Sequence, residues 1–443
     1  MLRAGTTLLA STMLFALVGS QQAVGEPTLL SGAFDTPIQK IRIAVNSVDG
    51  SALAVWSQSD ARSNERGRIY AAELTRQRDG GYSAGRPFLV SPDSGCHQRP
   101  SVAWLEKPRT YLIVWDTAYR DLKYFLKLDP VDDRPFRSSD VLARTFTPGR
   151  RRGVVPGPLG KVVRINDPAT IVSLLPCAVP MTASDHDEVF VTYLGSNEGG
   201  KDGHHWSAGM WGARCTGGSD ITIGKNTQMT SWRLIGAALS GFSAGGRIYA
   251  AGVKLDLEES SQMGRGGVMI IDPESCKVEQ FIVTGKIDPR SHPLSDRGFG
   301  EVIPLPPAPA REGAPFTILG HSNVDFNIRT FQSDLAVETF KKLGPVDERS
   351  TLLDQRFFVL KDAASCAQQA YVLYQDGHRS FFYRPISSVT GFPSGAPVAA
   401  FGPLTGELQW MDVAAFGRDV LVSWAERKPD GRYAACFQKL TVK

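Results

Sequence analysis

The stretch Arg99-Pro100-Ser101-Val102-Ala103-Trp104, then Thr110-Tyr111-Leu112-Ile113-Val114-Trp115-Asp116, then Leu126-Lys127-Leu128-Asp129 decides how the chain is read. A short apolar run is followed by a second that ends on an aromatic and an acid, and then by a third of alternating polarity. Period-two runs of this length are strands, and the polar breaks between them are turns. The same order recurs at 41–74, 170–198 and 408–440, and looser copies fill 232–283, 299–343 and 356–402. First strands are predicted to begin near residues 41, 100, 171, 232, 298, 355 and 408, a spacing of about 53 to 71 residues. A steady strand unit separated by loops of unequal length is what radial repetition produces, since each sheet packs on its neighbours while the loops grow outward. The predicted fold is all-β, a seven-bladed β-propeller. Its seventh unit stops after three strands. The N-terminal run Thr28 to Phe34 (TLLSGAF) is the spare strand, predicted to complete that last blade by pairing with Tyr433 to Leu440 and so to remove an open edge.

Composition agrees with a large globular core: 443 residues, 42% hydrophobic and 21% charged. A net charge of +4 is too small to draw the chain to nucleic acid or to an anionic membrane. Arg3, the apolar run from Leu8 to Val18 and the small residues Ala23-Val24-Gly25 form the pattern of a secretory signal peptide. Residues 1–25 are therefore predicted to be removed and residues 26–443 to form one propeller domain, secreted to an extracellular or periplasmic space. The apolar run is shorter than the roughly 20 residues of a membrane span, and no later stretch is long enough. In an oxidising compartment the six cysteines can pair. Cys177 with Cys215 and Cys366 with Cys436 are the expected bridges, whereas Cys96 and Cys276 are expected to stay thiols. No CxxC or zinc-like spacing occurs, so neither a metal nor another cofactor is expected.

The quoted motif resembles the "PSVA…YLVVW.D…LD" propeller repeats of secreted bacterial proteins. The likeness is good over one unit and partial over two or three. It implies a fold and export, and no single activity. No stretch matches the sialidase Asp-box (SxDxGxxW) or a WD40 repeat.

Ligand sites in a propeller gather on the side formed by the connections from fourth to first strands and from second to third strands. The predicted topology puts six of the seven histidines there, with His186 opposite. The candidate ligand-binding residues on that side are His97, Arg99, Tyr119, Arg120, His205, His292, Arg297 and His378. The loop from Arg144 to Arg164 adds Arg150, Arg151 and Arg152, because guanidinium groups pair bidentately with carboxylate or sulfate. The acids that follow second strands, among them Asp116, Asp376 and Glu426, are expected to accept backbone N–H groups in turns. The aromatics Trp56, Trp115, Tyr193, Tyr374 and Trp424 are expected to pack between blades. No nucleophile elbow, P-loop or metal motif is present. Two functions remain open at this level. One is binding of a glycan, such as an anionic polysaccharide, or of an extracellular protein, without chemistry. The other is a carbohydrate-active enzyme, a polysaccharide lyase or glycosidase, acting at the channel mouth.

Overall fold

The computed structural model describes residues 27–32, 35–60, 63–92, 95–117, 139–149, 157–170, 172–181, 188–196, 209–218, 220–230, 240–255, 264–287, 301–305, 316–321, 327–332, 340–345, 355–361, 367–376 and 379–442. Among them every regular element is a strand, and the arrangement is of the β-propeller type. The strands form seven separate antiparallel sheets, numbered 1 to 7 in chain order, each of four or five strands. Their first strands are Ile38–Val45, Gln98–Leu105, Val172–Met181, Gly241–Ala244, Val302–Pro304, Gln355–Lys361 and Glu407–Phe416. Each first strand adjoins that of the next sheet, and Glu407–Phe416 adjoins Ile38–Val45. In sheet 7 the outer strand is Thr28–Leu29, with Thr28 opposite Phe437 and Leu29 opposite Cys436. Leu30 continues into the core beside Ile38, Ile41, Trp56 and Phe437. The signal-peptide segment and Phe34 lie outside the described residues.

The expected first strand of the fourth unit, 232–239, lies outside the described residues, and the described first strand of sheet 4 is Gly241–Ala244. Gly245 and Gly246 both stand at positive φ (55° and 74°), a conformation open to glycine, and they turn this strand directly into Arg247–Leu255.

A first strand has one edge inside its own sheet and another facing the neighbouring sheet, where backbone groups still need partners. A side chain from the preceding sheet supplies them in a recurring register. Ser101 Oγ accepts the N–H of Ala178 at 3.1 Å, and Ser240 Oγ that of Val302 at 3.1 Å. Glu301 Oε2 accepts the N–H of Phe357 at 2.7 Å, and Asp412 Oδ2 that of Ile43 at 2.9 Å. These bonds make Arg42, Ser101, Cys177, Ser240, Glu301, Arg356 and Asp412 equivalent positions, one per sheet. Two residues earlier, first strands 1, 2, 3 and 7 all shift register, between Ile38 and Lys40, Gln98 and Ser101, Leu174 and Cys177, and Leu408 and Trp410. Such bulges bend a strand and re-aim its side chains.

The aromatics that close the second strands are buried, as packing residues should be: Trp56, Trp115 and Trp424 have no exposed surface. Trp424 stacks on Phe401 of sheet 6 at 5.2 Å between ring centroids, joining two sheets.

The expected disulfides are corrected here. All five described cysteines, Cys96, Cys177, Cys215, Cys276 and Cys436, are buried thiols, and Cys366 lies outside the described residues. Cys177 and Cys215 sit on strands separated by Glu188–Ser196. Two strand spacings amount to about 9–10 Å, beyond the roughly 7 Å a disulfide can bridge. They also serve different cores, Cys177 beside Phe190 and Cys215 beside Val189.

Burial pushes the Cys96 and Cys436 thiols up to about 11 and Cys215 to about 12. In the unfolded chain such thiols lose the proton near pH 9. The stability they contribute is therefore present below pH 9 and lost as pH rises through 11. The unfolding midpoint should fall across that window. Alkylation at pH 8 should leave these five thiols unmodified in the native protein and should modify all five in denatured, unreduced protein. A peptide bridging any two of them would refute this.

Candidate functional site

Antiparallel alternation gives the propeller two sides. Connections from fourth to first and from second to third strands leave on one, termed the front; the others leave on the back. Strand ends bracketing Tyr119 and Arg120, His205, and His378 make these second-to-third connections, and those bracketing His292 and Arg297 make a fourth-to-first connection. The seven residues Tyr119, Arg120, His205, His292, Arg297, His378 and His204 themselves lie outside the described residues. So do Arg150, Arg151 and Arg152. Their segment runs from Val141–Phe146 to Val163–Arg164, the third and fourth strands of sheet 2, which is a back connection. The described strand ends on either side of it, Phe146 and Val163, thus lie on the back. Two of its cations are engaged locally: Arg144 donates to Gly160 O at 2.6 Å and Val90 O at 2.8 Å, and Arg164 pairs with Asp140 at 2.9 Å.

His97 and Arg99 are at the front, but both are buried, at 4% and 7% exposure. The His97 N–H donates to Gly67 O at 3.0 Å, and its Nδ1 accepts the Trp115 indole N–H at 3.0 Å. Arg99 stands on a bulge at φ 50° and forks onto Asp116, Nε to Oδ2 at 2.7 Å and Nη2 to Oδ1 at 2.8 Å. Asp116 Oδ2 also accepts the N–H of Leu175 at 2.9 Å, on the corresponding bulge of sheet 3. The His97 backbone N–H ties sheet 2 to sheet 1, and the Asp116 side chain ties it to sheet 3.

The acids after the second strands divide by task. Asp376 accepts the N–H of Ser380 within its turn, as expected. Asp116 reaches the next sheet instead, and Glu426 takes the Trp424 indole N–H and the Lys428 ammonium.

A cavity of about 250 Å³ opens at the front between sheets 6 and 7, lined by Arg379, Thr405, Gly406, Glu407, Arg427, Lys428, Pro429 and Gly431. Three connections build it: the second-to-third turns of both sheets and the link from Val398–Phe401 to Glu407–Phe416. Arg379, at φ 64°, donates to Thr405 O at 3.4 Å, and Lys428 donates to Thr405 Oγ1 at 3.1 Å, so the two turns hold one another. Arg379 and Arg427 are exposed. The lining carries three cations and one carboxylate, Glu407, an arrangement suited to an anion on a small polar molecule. Sequence reading missed it because its parts come from three turns. The local signal was the turn Glu426-Arg427-Lys428-Pro429-Asp430-Gly431-Arg432, the basic hairpin of sheet 7.

The axis carries a second charged group. Lys40, Arg42 and Arg356 approach the Trp410 ring at 5.6, 5.5 and 5.3 Å from its centroid. Asp412 receives Arg42 at 3.2 Å and Arg356 at 3.7 Å. Burial raises the Asp412 pKa and Glu301 raises it further, while Arg42, Arg356 and the Ile43 N–H oppose the shift. Cys177, likewise raised by burial, lies in the field of Arg42, Lys40 and Asp412.

No family model and no curated protein matches the chain. Among solved structures it is similar to Trypanosoma rangeli sialidase in complex with the inhibitor DANA, at 9% identity and a TM-score of 0.45, over 82% of this chain and 57% of that one. It is also similar to NanB sialidase from Streptococcus pneumoniae, at 9% identity and a TM-score of 0.46, over 95% of this chain and 71% of that one. The chain thus spans little more than half the length of the trypanosomal protein. At such identities no residue's role passes from one protein to the other. Among the described residues no helix is long and apolar enough to cross a membrane, and no three His, Cys, Asp or Glu side chains are grouped to hold a metal ion.

Proposed function

We propose that the chain is a carbohydrate-active β-propeller of seven blades, its last blade completed by Thr28–Leu29, that takes an acidic sugar unit in the front cavity between sheets 6 and 7. The observation that carries the reading is the lining of that cavity. Arg379, Arg427 and Lys428 offer charge-assisted hydrogen bonds to a carboxylate or sulfate. Glu407 beside them is the candidate general base or acid, and cations that neutralise a uronate carboxylate lower the cost of removing the neighbouring proton. The volume suits one sugar ring. A ring of six blades, which the sialidase likeness favours, leaves one of the seven sheets over, whereas the run of acceptor bonds from sheet to sheet supports seven. Residues 1–25 as an export signal and 26–443 as one domain fit a glycan met outside the cytoplasm.

The test is a panel of uronate-containing and sulfated polysaccharides. Turnover is followed by absorbance of an unsaturated product for a lyase and by new reducing ends for a hydrolase. Binding is followed by calorimetry. Replacing Arg379, Arg427 and Lys428 together with Ala should weaken binding at least about tenfold, since each charge-assisted bond is worth about 1.5–3 kcal/mol. Glu407→Gln should keep binding and abolish turnover. The triple replacement of Arg150, Arg151 and Arg152 with Ala should change neither, because their connection leaves on the back. Binding that survives the front triple variant rejects the cavity, and binding without turnover across the panel leaves the protein a lectin-like binder.

A further inference from the structure

Among the three cations of the front cavity, Lys428 already has an acid of its own. Its ammonium donates to Thr405 Oγ1 at 3.1 Å and pairs with Glu426 Oε1. Glu426 is not part of the cavity lining. It stands two residues after Trp424, hence on the same face of the second strand of sheet 7, and its side chain is 3% exposed. Its other oxygen, Oε2, accepts the Trp424 indole N–H at 3.4 Å, and Trp424 is stacked on Phe401 of sheet 6. The carboxylate is thus held by a packed ring, and it holds the ammonium in turn. The backbone of Lys428 is fixed as well. Its N–H donates to Arg432 O at 2.7 Å, its carbonyl accepts the Gly431 N–H at 2.9 Å, and a Cβ at Gly406 would collide with Arg427 O.

Arg379 and Arg427 stand differently. Arg379 donates to a neutral carbonyl, Thr405 O, and neither guanidinium is paired with a carboxylate among the described residues. Arg427 lies directly across the sheet from Glu407, yet the two do not pair. The fields of Lys428 and Glu426 largely cancel beyond their own separation, so a ligand meets two guanidinium groups and one carboxylate, Glu407. A carboxylate or a sulfate ester brings one negative charge, whereas a phosphate monoester brings about 1.5 to 2 at pH 7. The second charge of a phosphate needs a further cation. Lys428 is the one at hand, and Glu426 both occupies it and repels the added charge.

We propose that Glu426 is a specificity-determining residue of the front cavity: by holding the Lys428 ammonium it limits the cavity to a singly charged acid, a carboxylate or a sulfate ester, and turns away a phosphate monoester. Glu426 touches no ligand and acts through Lys428. The inference rests on the reading of this cavity as the acidic-sugar site and adds to it the charge of the acid.

The test compares two probes on one ring, glucuronic acid and glucose 6-phosphate, by ligand-observed NMR titration at neutral pH and constant ionic strength. The parent should bind glucuronate the more tightly. Glu426→Gln returns the charge of Lys428 to the cavity and keeps an acceptor for the Trp424 N–H, and it should shift the ratio of the two affinities toward the phosphate by about fivefold. The double variant Glu426→Gln with Lys428→Gln removes both charges and should return the ratio to that of the parent, a rescue that a merely structural role for Glu426 does not give. If Glu426→Gln does not fold, Lys428→Gln serves: it leaves Glu426 unopposed and should shift the ratio further toward glucuronate. A ratio unchanged in these single variants, or a parent that binds glucose 6-phosphate as tightly as glucuronate, overturns the role of Glu426. The cavity reading survives that result if the Arg379, Arg427 and Lys428 triple variant has lost glucuronate, whereas a parent that binds neither probe overturns both.

Discussion

Asp116→Ala is expected to lower the free energy of unfolding by about 3–5 kcal/mol, the cost of breaking a buried ion pair from one side. The carboxylate has no exposed surface. Its loss leaves the Arg99 guanidinium buried without the fork that holds it and removes the acceptor of the Leu175 N–H. Both Arg99 and Leu175 stand at positive φ, so the two bulges lose their common anchor together. Replacing both partners, Arg99→Met with Asp116→Leu, should recover most of the loss, because no unpaired charge is then buried. A deficit of about 1–3 kcal/mol should remain for the Leu175 N–H. Urea unfolding of the three proteins checks this. A single variant within about 1 kcal/mol of the parent would show that water reaches the pair.

Removing residues up to Ser31 is the second large perturbation. Thr28–Leu29 covers the edge of Tyr433–Thr441, Leu30 N–H donates to Ala435 O at 2.8 Å, and Ser31 Oγ accepts the Ala435 N–H at 3.1 Å. Without them a nine-residue strand offers its backbone to any other chain, and an open edge of that length invites association. The truncated protein should elute as a mixture of oligomers and aggregates. Leu30→Ala isolates the packing part. Leu30 is 1% exposed, and its truncation should cost about 2–5 kcal/mol while leaving the protein monodisperse. A truncated protein as soluble and stable as the parent would show that this pairing is dispensable.

The strands were legible because alternation and the aromatic at each second-strand end report burial directly. Trp56, Trp115 and Trp424 recur in one register since neighbouring sheets demand the same filling there. The equivalent first-strand positions were also printed in the sequence, as a polar residue within an apolar run: Arg42 in Ile41-Arg42-Ile43, Ser101 in Pro100-Ser101-Val102, Asp412 in Met411-Asp412-Val413. Their task was not legible, because each acceptor acts on a sheet 56 residues or more away and alternation reports only the faces of its own strand. The disulfide expectation failed for a related reason. Export argues for oxidation, but pairing needs two Cβ atoms on one side of one contact, and Cys177 and Cys215 are divided by a strand. His97 and Arg99 show the limit of placing residues by loop alone. A histidine at the front can still be turned inward, where Trp115 holds it.

The acceptor bonds described here all point one way round the axis, and one of them, from Asp412 to Ile43, joins residues 369 apart in the chain. At a synthesis rate of roughly 5–20 residues per second, Ile43 emerges on the order of 20 to 70 s before its partner exists. During that time the growing protein is an open arc, and its first inner strand depends on water for what Asp412 later supplies. A ribosome stalled anywhere in the first six sheets therefore leaves an arc with both ends exposed, so the short stretch that carries Asp412 decides whether the preceding sheets become a closed body.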